Sequence, residues 1–182
     1  MSEYRRWYVP GGTCFFTVVT QGRVPTFHDP LAVRLLGVVM RTVRVKYPFR
    51  TIAVVVLPDH AHCVWSLPRG DSDYSGRWRW IKGAFTEKWL SAGGREAFRS
   101  PSRVRKGEHG VWQRRFWEHQ IHDEVDLERL VDYIHYNPVK HGYAARPADW
   151  PWSSFSRHLR LGQYSPEWGT SEPTLPAVMP RE

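Results

Sequence analysis

Ala53-Val-Val-Val-Leu57-Pro58-Asp59-His60-Ala61-His62-Cys63-Val-Trp65-Ser-Leu67 is the stretch whose reading decides the fold. An apolar run, Ala53 to Leu57, meets a Pro-Asp turn, and a second β-prone run, His60 to Leu67, follows it. Such a pair predicts adjacent strands of a buried sheet. Strand side chains alternate between faces, so His60 and His62 point the same way, roughly 7 Å apart along the chain, with Ala61, Cys63 and Trp65 opposite. Two imidazoles on one face of a stiff strand can share a divalent cation without a large rearrangement. His-x-His is also common by chance, and a pair of strand-end histidines with no ligand is the plain alternative. The missing ligands have to come from elsewhere in the chain.

Working towards the N-terminus, Pro48 stops a helix that begins at Asp29-Pro30, with Asp29 as N-cap and Pro30 in the first turn. Leu31, Leu35, Val38, Val39, Thr42 and Val43 follow helical spacing, with Arg34, Arg41 and Arg44 away from that stripe. Earlier still, Thr13 to Thr20 is β-branched and aromatic and predicts a strand after a Gly11-Gly12 turn. The opening Tyr4-Arg5-Arg6-Trp7-Tyr8 suits either a grip on a nucleic-acid strand or an arm packed on the sheet.

Working towards the C-terminus, residues 69–76 are a Gly-, Asp- and Ser-rich loop. A second helix is expected from about Ser75 to Leu90, with Trp78, Ile81, Phe85 and Trp89 on one side and Arg77, Lys82 and Lys88 near or beyond its edges. Residues 91–110 carry Gly93-Gly94, Ser100-Pro101 and the basic run Arg103-Val104-Arg105-Lys106. By composition they form a surface loop, either a plain insertion or a segment that orders on a phosphate backbone. Trp112-Gln113 and Phe116 to Ile121 read as strand-like. In the next helix, capped by Asp123 or Asp126, Leu127, Leu130, Val131 and Ile134 recur at i, i+3, i+4 and i+7. Tyr133 and Asn137 lie one turn apart on the flank of that stripe, which predicts a partly exposed tyrosine. Pro138 disfavours helix at Asn137, so the helix is expected to end there.

Composition limits what this can be. The chain has 182 residues, enough for one domain with a real core. Its net charge of +8 and pI near 9.8 favour a polyanionic partner, and ten tryptophans, eight tyrosines and eight phenylalanines offer rings for stacking unpaired bases as well as for the core. The two cysteines, Cys14 and Cys63, both fall in predicted strands and imply no disulfide framework. With a polar Met1–Arg6 and no apolar run near 18 residues, neither an export signal nor a membrane span is expected, and the cytoplasm is the expected compartment.

Four segments then occur in order: Leu57-Pro-Asp-His-Ala-His-Cys-Val-Trp65, Trp78-x-x-Ile-Lys-x-x-Phe-Thr86, Trp112-Gln-x-x-Phe-Trp-Glu-His119 and Asp132-Tyr-Ile-x-x-Asn-Pro-Val-Lys-His-Gly142. Together they closely resemble the REP-associated tyrosine transposases, a branch of the single-tyrosine HUH nucleases of bacteria. The resemblance runs from Tyr4 to about Trp168, so residues 1–168 are expected to form one domain and 169–182 a tail.

The resemblance implies an α+β fold, a ferredoxin-like antiparallel sheet packed with helices. It implies that His60 and His62 bind Mg²⁺ or Mn²⁺, with Asn137 as the polar third ligand. Tyr133 matches the catalytic tyrosine that forms a 5′-phosphotyrosine link. Tyr136 is the local competitor and lacks the Tyr-x-x-x-Asn relation. A phenol has an ordinary pKa near 10 and needs help at neutral pH, for which Lys140 and His119 are candidates. The implied partner is single-stranded DNA folded into REP-type hairpins with a short foot, bound by a protein that associates with the nucleoid.

Gly12-Thr13-Cys14-Phe15 matches the motif that contributes to reading the foot, with Cys14 where an aromatic residue is usual. Expected DNA contacts are therefore Gly12, Thr13 and Phe15, joined by the basic residues Arg5, Arg6, Lys82, Arg103, Arg105 and Lys106. Two readings of other classes stand beside this one: a non-catalytic nucleic-acid binder, and a metal-dependent phosphodiesterase that activates water. Oligomeric state, monomer or dimer, is not specified by the sequence.

Overall fold

The β-branched and aromatic run after Gly12 forms the first strand, β1 (Thr13–Val19), at the heart of a four-stranded antiparallel sheet. A computed structural model describes residues 9–171 and 173. The other strands are β2 (Arg50–Val56), β3 (His60–Ser66) and β4 (Trp117–Gln120), in the order β2-β3-β1-β4. With helices α1 (Pro30–Lys46) and α2 (Tyr74–Ser91) as the two crossovers, this is the ferredoxin-like βαββαβ arrangement. Pro58 and Asp59 turn the chain between β2 and β3, where Leu57 N–H donates to His60 O at 2.8 Å.

Strand alternation divides the core in two. Cys14, Phe16, Val18, Ala61, Cys63 and Trp65 face α1 and α2, and Trp65 stacks on Trp78 of α2 at 4.3 Å. Phe15, Ala53, Val55 and Val64 face a later helix, α4 (Glu124–Lys140), and pack against its Leu130, Val131, Tyr133 and Ile134. The short helices α3 (Pro101–Arg105) and α5 (Phe155–Arg160) complete the set among the described residues. The expected α2 stripe of Trp78, Ile81, Phe85 and Trp89 is wholly buried.

Several details depart from the expected pattern. The buried stripe of α1 is Ala32, Val33, Leu36, Val39 and Val43, while Val38 and Thr42 face solvent. Apolar residues occur nearly all round the first two turns of that helix, so spacing alone does not fix its rotation; packing against α2 does. Trp112 makes only an isolated bridge to Thr20, and the regular strand begins at Trp117.

Helix α4 does not stop at Asn137. It runs through Pro138 to Lys140, because only one backbone N–H is lost there and His141 N–H restores the ladder to Asn137 O at 3.1 Å.

Residues 91–110 are tied down more than their composition suggests. Glu96 accepts from Gly110 N–H at 2.5 Å, and Trp89 Nε1 donates to Arg95 O at 2.9 Å. Arg103 corrects a DNA-contact expectation. Its guanidinium is buried and donates to His109 O at 2.6 Å, Gln21 Oε1 at 2.7 Å and Trp112 O at 3.1 Å. Five fixed donors facing three acceptors make it a structural clamp. Arg103→Ala is expected to cost about 2–3 kcal/mol, since it strands those acceptors. Urea unfolding checks this, and an unchanged midpoint would contradict the clamp.

Candidate active site

The rings of His60 and His62 lie side by side on β3, with centroids 4.8 Å apart. Both are buried, because β3 is an inner strand and α4 covers this face. The Nδ1 atoms are engaged: His60 Nδ1 lies 2.6 Å from Asp59 Oδ1, and His62 Nδ1 lies 2.9 Å from Thr17 Oγ1 of β1. An ionised carboxylate only accepts, so His60 carries its proton on Nδ1. His60 Nε2 is buried without a hydrogen-bond partner, the condition of a donor atom built for a ligand. Burial first, then Coulombic interaction with His60, Lys140, His141 and Arg23, holds His62 well below the usual imidazole range, in the neutral form that binds metals.

Tyr133 comes to this pair from α4. Asp123 caps the helix by accepting from Asp126 N–H at 2.8 Å, which fixes where the helix starts and hence which flank faces the sheet. The Tyr133 ring sits 5.3 Å from that of His62 and 6.1 Å from that of Phe15. It is fully buried, which corrects the expected half-exposed tyrosine: this flank of α4 is pressed against β1 and β3. Because α4 continues past Pro138, Lys140 stands two turns beyond Tyr133 on the same flank. Its Nζ donates to the Tyr133 hydroxyl at 3.4 Å and lies 5.0 Å from the ring centroid. Asn137, one turn after Tyr133, is also fully buried.

Among the described residues, no three His, Cys, Asp or Glu side chains are grouped so as to hold a metal. Asn137, the third ligand that the resemblance implies, is an amide and so falls outside those four types. Two imidazole nitrogens and an amide oxygen would form a borderline donor set that suits Mn²⁺ better than Mg²⁺.

The remaining expected residues are placed less uniformly. His119 is on the same sheet face, yet its Nε2 is 2.8 Å from Asp126 Oδ2 and its ring stacks on Trp117, so it anchors the start of α4. Phe15 corrects the foot-reading expectation, and Cys14, which stands where an aromatic is usual, is buried too. Phe15 is core beneath α4, and Cys14 is buried on the opposite face with Sγ donating to Gln120 Oε1 at 3.1 Å. Neither presents a surface to a base. Gly12 and Thr13 stay near the surface at the start of β1, where a Cβ on Gly12 would come within 2.9 Å of Gln120 Nε2 and Val9 O.

Lys82 lies beyond the other face of the sheet, lining a groove of about 800 Å³ between α2 and residues 103–116. Arg105 and Lys106 are exposed, while Arg5 and Arg6 lie outside the described residues. Sequence reasoning missed Asp59, Arg23, Thr17 and His141, whose ring lies 5.6 Å from His60. Asp59, immediately before the pair, was the one with a readable signal.

The buried imidazoles make stability acid-sensitive. His62, His135, His141 and His158 are all held below the usual range, by burial before any other cause. The unfolded chain takes up these protons first, so their contribution is complete above pH 6.5 and is lost as pH falls below it. Asp59 has a linkage of the same sign and acts lower. Hydrogen bonds from His60 and Arg23 outweigh its burial and hold its carboxyl down to about 2, so its share is lost only below about 3.8. Melting temperature is expected to fall steadily from pH 7 to pH 5, and a flat profile would contradict the neutral imidazoles.

A ferredoxin-like sheet carries a histidine pair on an inner strand, faced by a helix that sets a tyrosine against the pair, as the resemblance to the single-tyrosine HUH class implies. No family profile matches the chain. It is 42% identical over 168 residues to the REP-associated tyrosine transposase of Escherichia coli K12, covering 92% of this chain and 91% of that protein. It is 41% identical over 169 residues to a relative in Haemophilus influenzae Rd that is assigned to the same group, covering 93% and 94%. It is also similar to the structure of a REP-associated tyrosine transposase bound to a REP hairpin, with a TM-score of 0.78, 39% identity and coverage of 98% and 99%. The chain belongs to the REP-associated tyrosine transposase family. Among the described residues no helix is long and apolar enough to cross a membrane.

Proposed function

We propose that the protein is a metal-dependent single-stranded DNA endonuclease and strand transferase that acts on REP-type hairpins through a 5′-phosphotyrosine intermediate. The observation that carries this reading is the Tyr133 hydroxyl, which receives a hydrogen bond from Lys140 while its ring lies against His62. A water-activating phosphodiesterase or a passive binder has no use for that arrangement. The hairpin in the similar family structure supports the substrate class, and the +8 charge suits a phosphate backbone.

Nε2 of His60, Nε2 of His62 and the Asn137 carboxamide would hold Mg²⁺ or Mn²⁺, which supplies Lewis-acid polarisation of the scissile phosphate. Tyr133 is the nucleophile. Lys140 as an ammonium stabilises the phenolate once the phenol's proton has left to solvent. The phenolate oxygen bonds to phosphorus and the P–O3′ bond breaks. The departing oxygen takes a proton and becomes a 3′-OH. A later 3′-OH reverses the step, so the strands rejoin without ATP. Because Tyr133 is fully buried, Lys140 has to swing off the hydroxyl before a phosphate can meet it.

The test is incubation of a 3′-labelled hairpin carrying a single-stranded flank with the protein and Mn²⁺, followed by denaturation in SDS. Label migrating with the protein is expected. Cutting without such an adduct would overturn the mechanism.

A further inference from the structure

The histidine pair has an outer support that no part of the reaction above uses. Asp59 Oδ1 lies 2.6 Å from His60 Nδ1, and its other oxygen, Oδ2, accepts from Arg23 Nη1 at 2.7 Å. Both carboxylate oxygens are thus engaged, which leaves Asp59 no free oxygen for a metal of its own. The carboxylate is fixed in turn by its backbone: Thr20 N–H and Thr20 Oγ1 each donate to Asp59 O at 2.9 Å, and Phe27 N–H donates to Pro58 O at 2.8 Å.

Arg23 is the only non-glycine described residue with positive φ, at 54°. A residue with a Cβ is uncommon in that region, and such residues concentrate where a side chain must be aimed. The turn that carries it, Gln21–Arg23, is held from outside by Gln21 N–H donating to Val111 O at 2.9 Å and by the buried Arg103 on Gln21 Oε1.

We propose that Arg23 and Asp59 form a positioning relay that fixes the His60 imidazole with its proton on Nδ1 and Nε2 as the metal-binding atom. The relay rests on the metal reading above. A carboxylate behind a ligating histidine sets tautomer and ring orientation and raises the basicity of the ligating nitrogen, and losing such a partner typically costs about 10–100-fold in metal affinity. Arg23 acts through Asp59, holding the carboxylate in the one orientation that serves His60. The two residues are therefore expected to be non-additive.

Two measurements on the full chain test this. The first needs no metal: ¹⁵N correlation spectra of histidine-labelled protein report which ring nitrogen of His60 bears the proton. Wild type is expected to be protonated at Nδ1, Asp59→Ala to shift to a mixture of tautomers, and Asp59→Asn, which retains an acceptor oxygen, to preserve the wild-type form. The second is Mn²⁺ titration by electron paramagnetic resonance. Asp59→Ala is expected to weaken binding about 10–100-fold. Arg23→Ala should weaken it less, and the double variant no more than Asp59→Ala alone.

A His60 spectrum unchanged in Asp59→Ala, or additive losses in the double variant, would overturn the relay. If wild type binds no Mn²⁺, the metal reading falls by itself, and the metal-free spectra still decide whether Asp59 sets the tautomer.

Discussion

Tyr133→Phe is expected to remove the protein–DNA adduct and lower cleavage by at least roughly a thousandfold, the scale on which a lost nucleophile is felt. The ring stays, so its packing against Phe15 and His62 is kept. What disappears is one oxygen and the hydrogen bond from Lys140, worth about 1 kcal/mol of stability. Folding and hairpin binding should survive, which separates a chemical loss from a structural one. Tyr136→Phe is the internal control and should retain the adduct. An adduct that persists in Tyr133→Phe and vanishes in Tyr136→Phe would move the nucleophile to the other tyrosine.

His62→Ala is expected to abolish cleavage and Mn²⁺ binding while leaving hairpin affinity within about threefold, because backbone contacts dominate affinity for nucleic acid. The side chain is fully buried and bonded to Thr17, so its removal also leaves a cavity costing about 1–3 kcal/mol. Circular dichroism has to show a folded variant before its inactivity is read as loss of the cation. Chelation of wild type is the parallel arm, with activity restored by Mn²⁺ or Mg²⁺. Full cleavage by folded His62→Ala would remove the argument for a metal.

Much of this was legible in the chain. Alternation from His60 to Trp65 placed the two histidines on one face and Ala61, Cys63 and Trp65 on the other, as found. The α2 stripe was readable because Trp78, Ile81, Phe85 and Trp89 recur at helical spacing, although Trp80 lies exposed on the other side. Three features were not. The local preference of the residue before Pro138 argues for a helix end, and it is outweighed by the packing of α4 across β2 and β3. Periodicity put Tyr133 on the edge of the apolar stripe, whereas the sheet it meets is wide enough to cover that edge as well. Charge counting treats every arginine as solvated, and Arg103 is buried because three oxygen acceptors happen to converge around it. Convergence of that kind depends on residues 21, 109 and 112 meeting in space, which no local window contains.

The inner position of β3 has a consequence for the order in which the site comes apart. Its amide protons are locked between β1 and β2, so they exchange with solvent only when the whole sheet opens. Helix α4 is joined to the sheet through side chains, and its later turns, with one ladder bond missing at Pro138, can loosen in a smaller opening. Deuterium uptake at Val139–His141 should therefore run ahead of uptake at His60–Ser66 by several orders of magnitude. The strand that carries the histidine pair stays assembled while the helix that carries Tyr133 breathes.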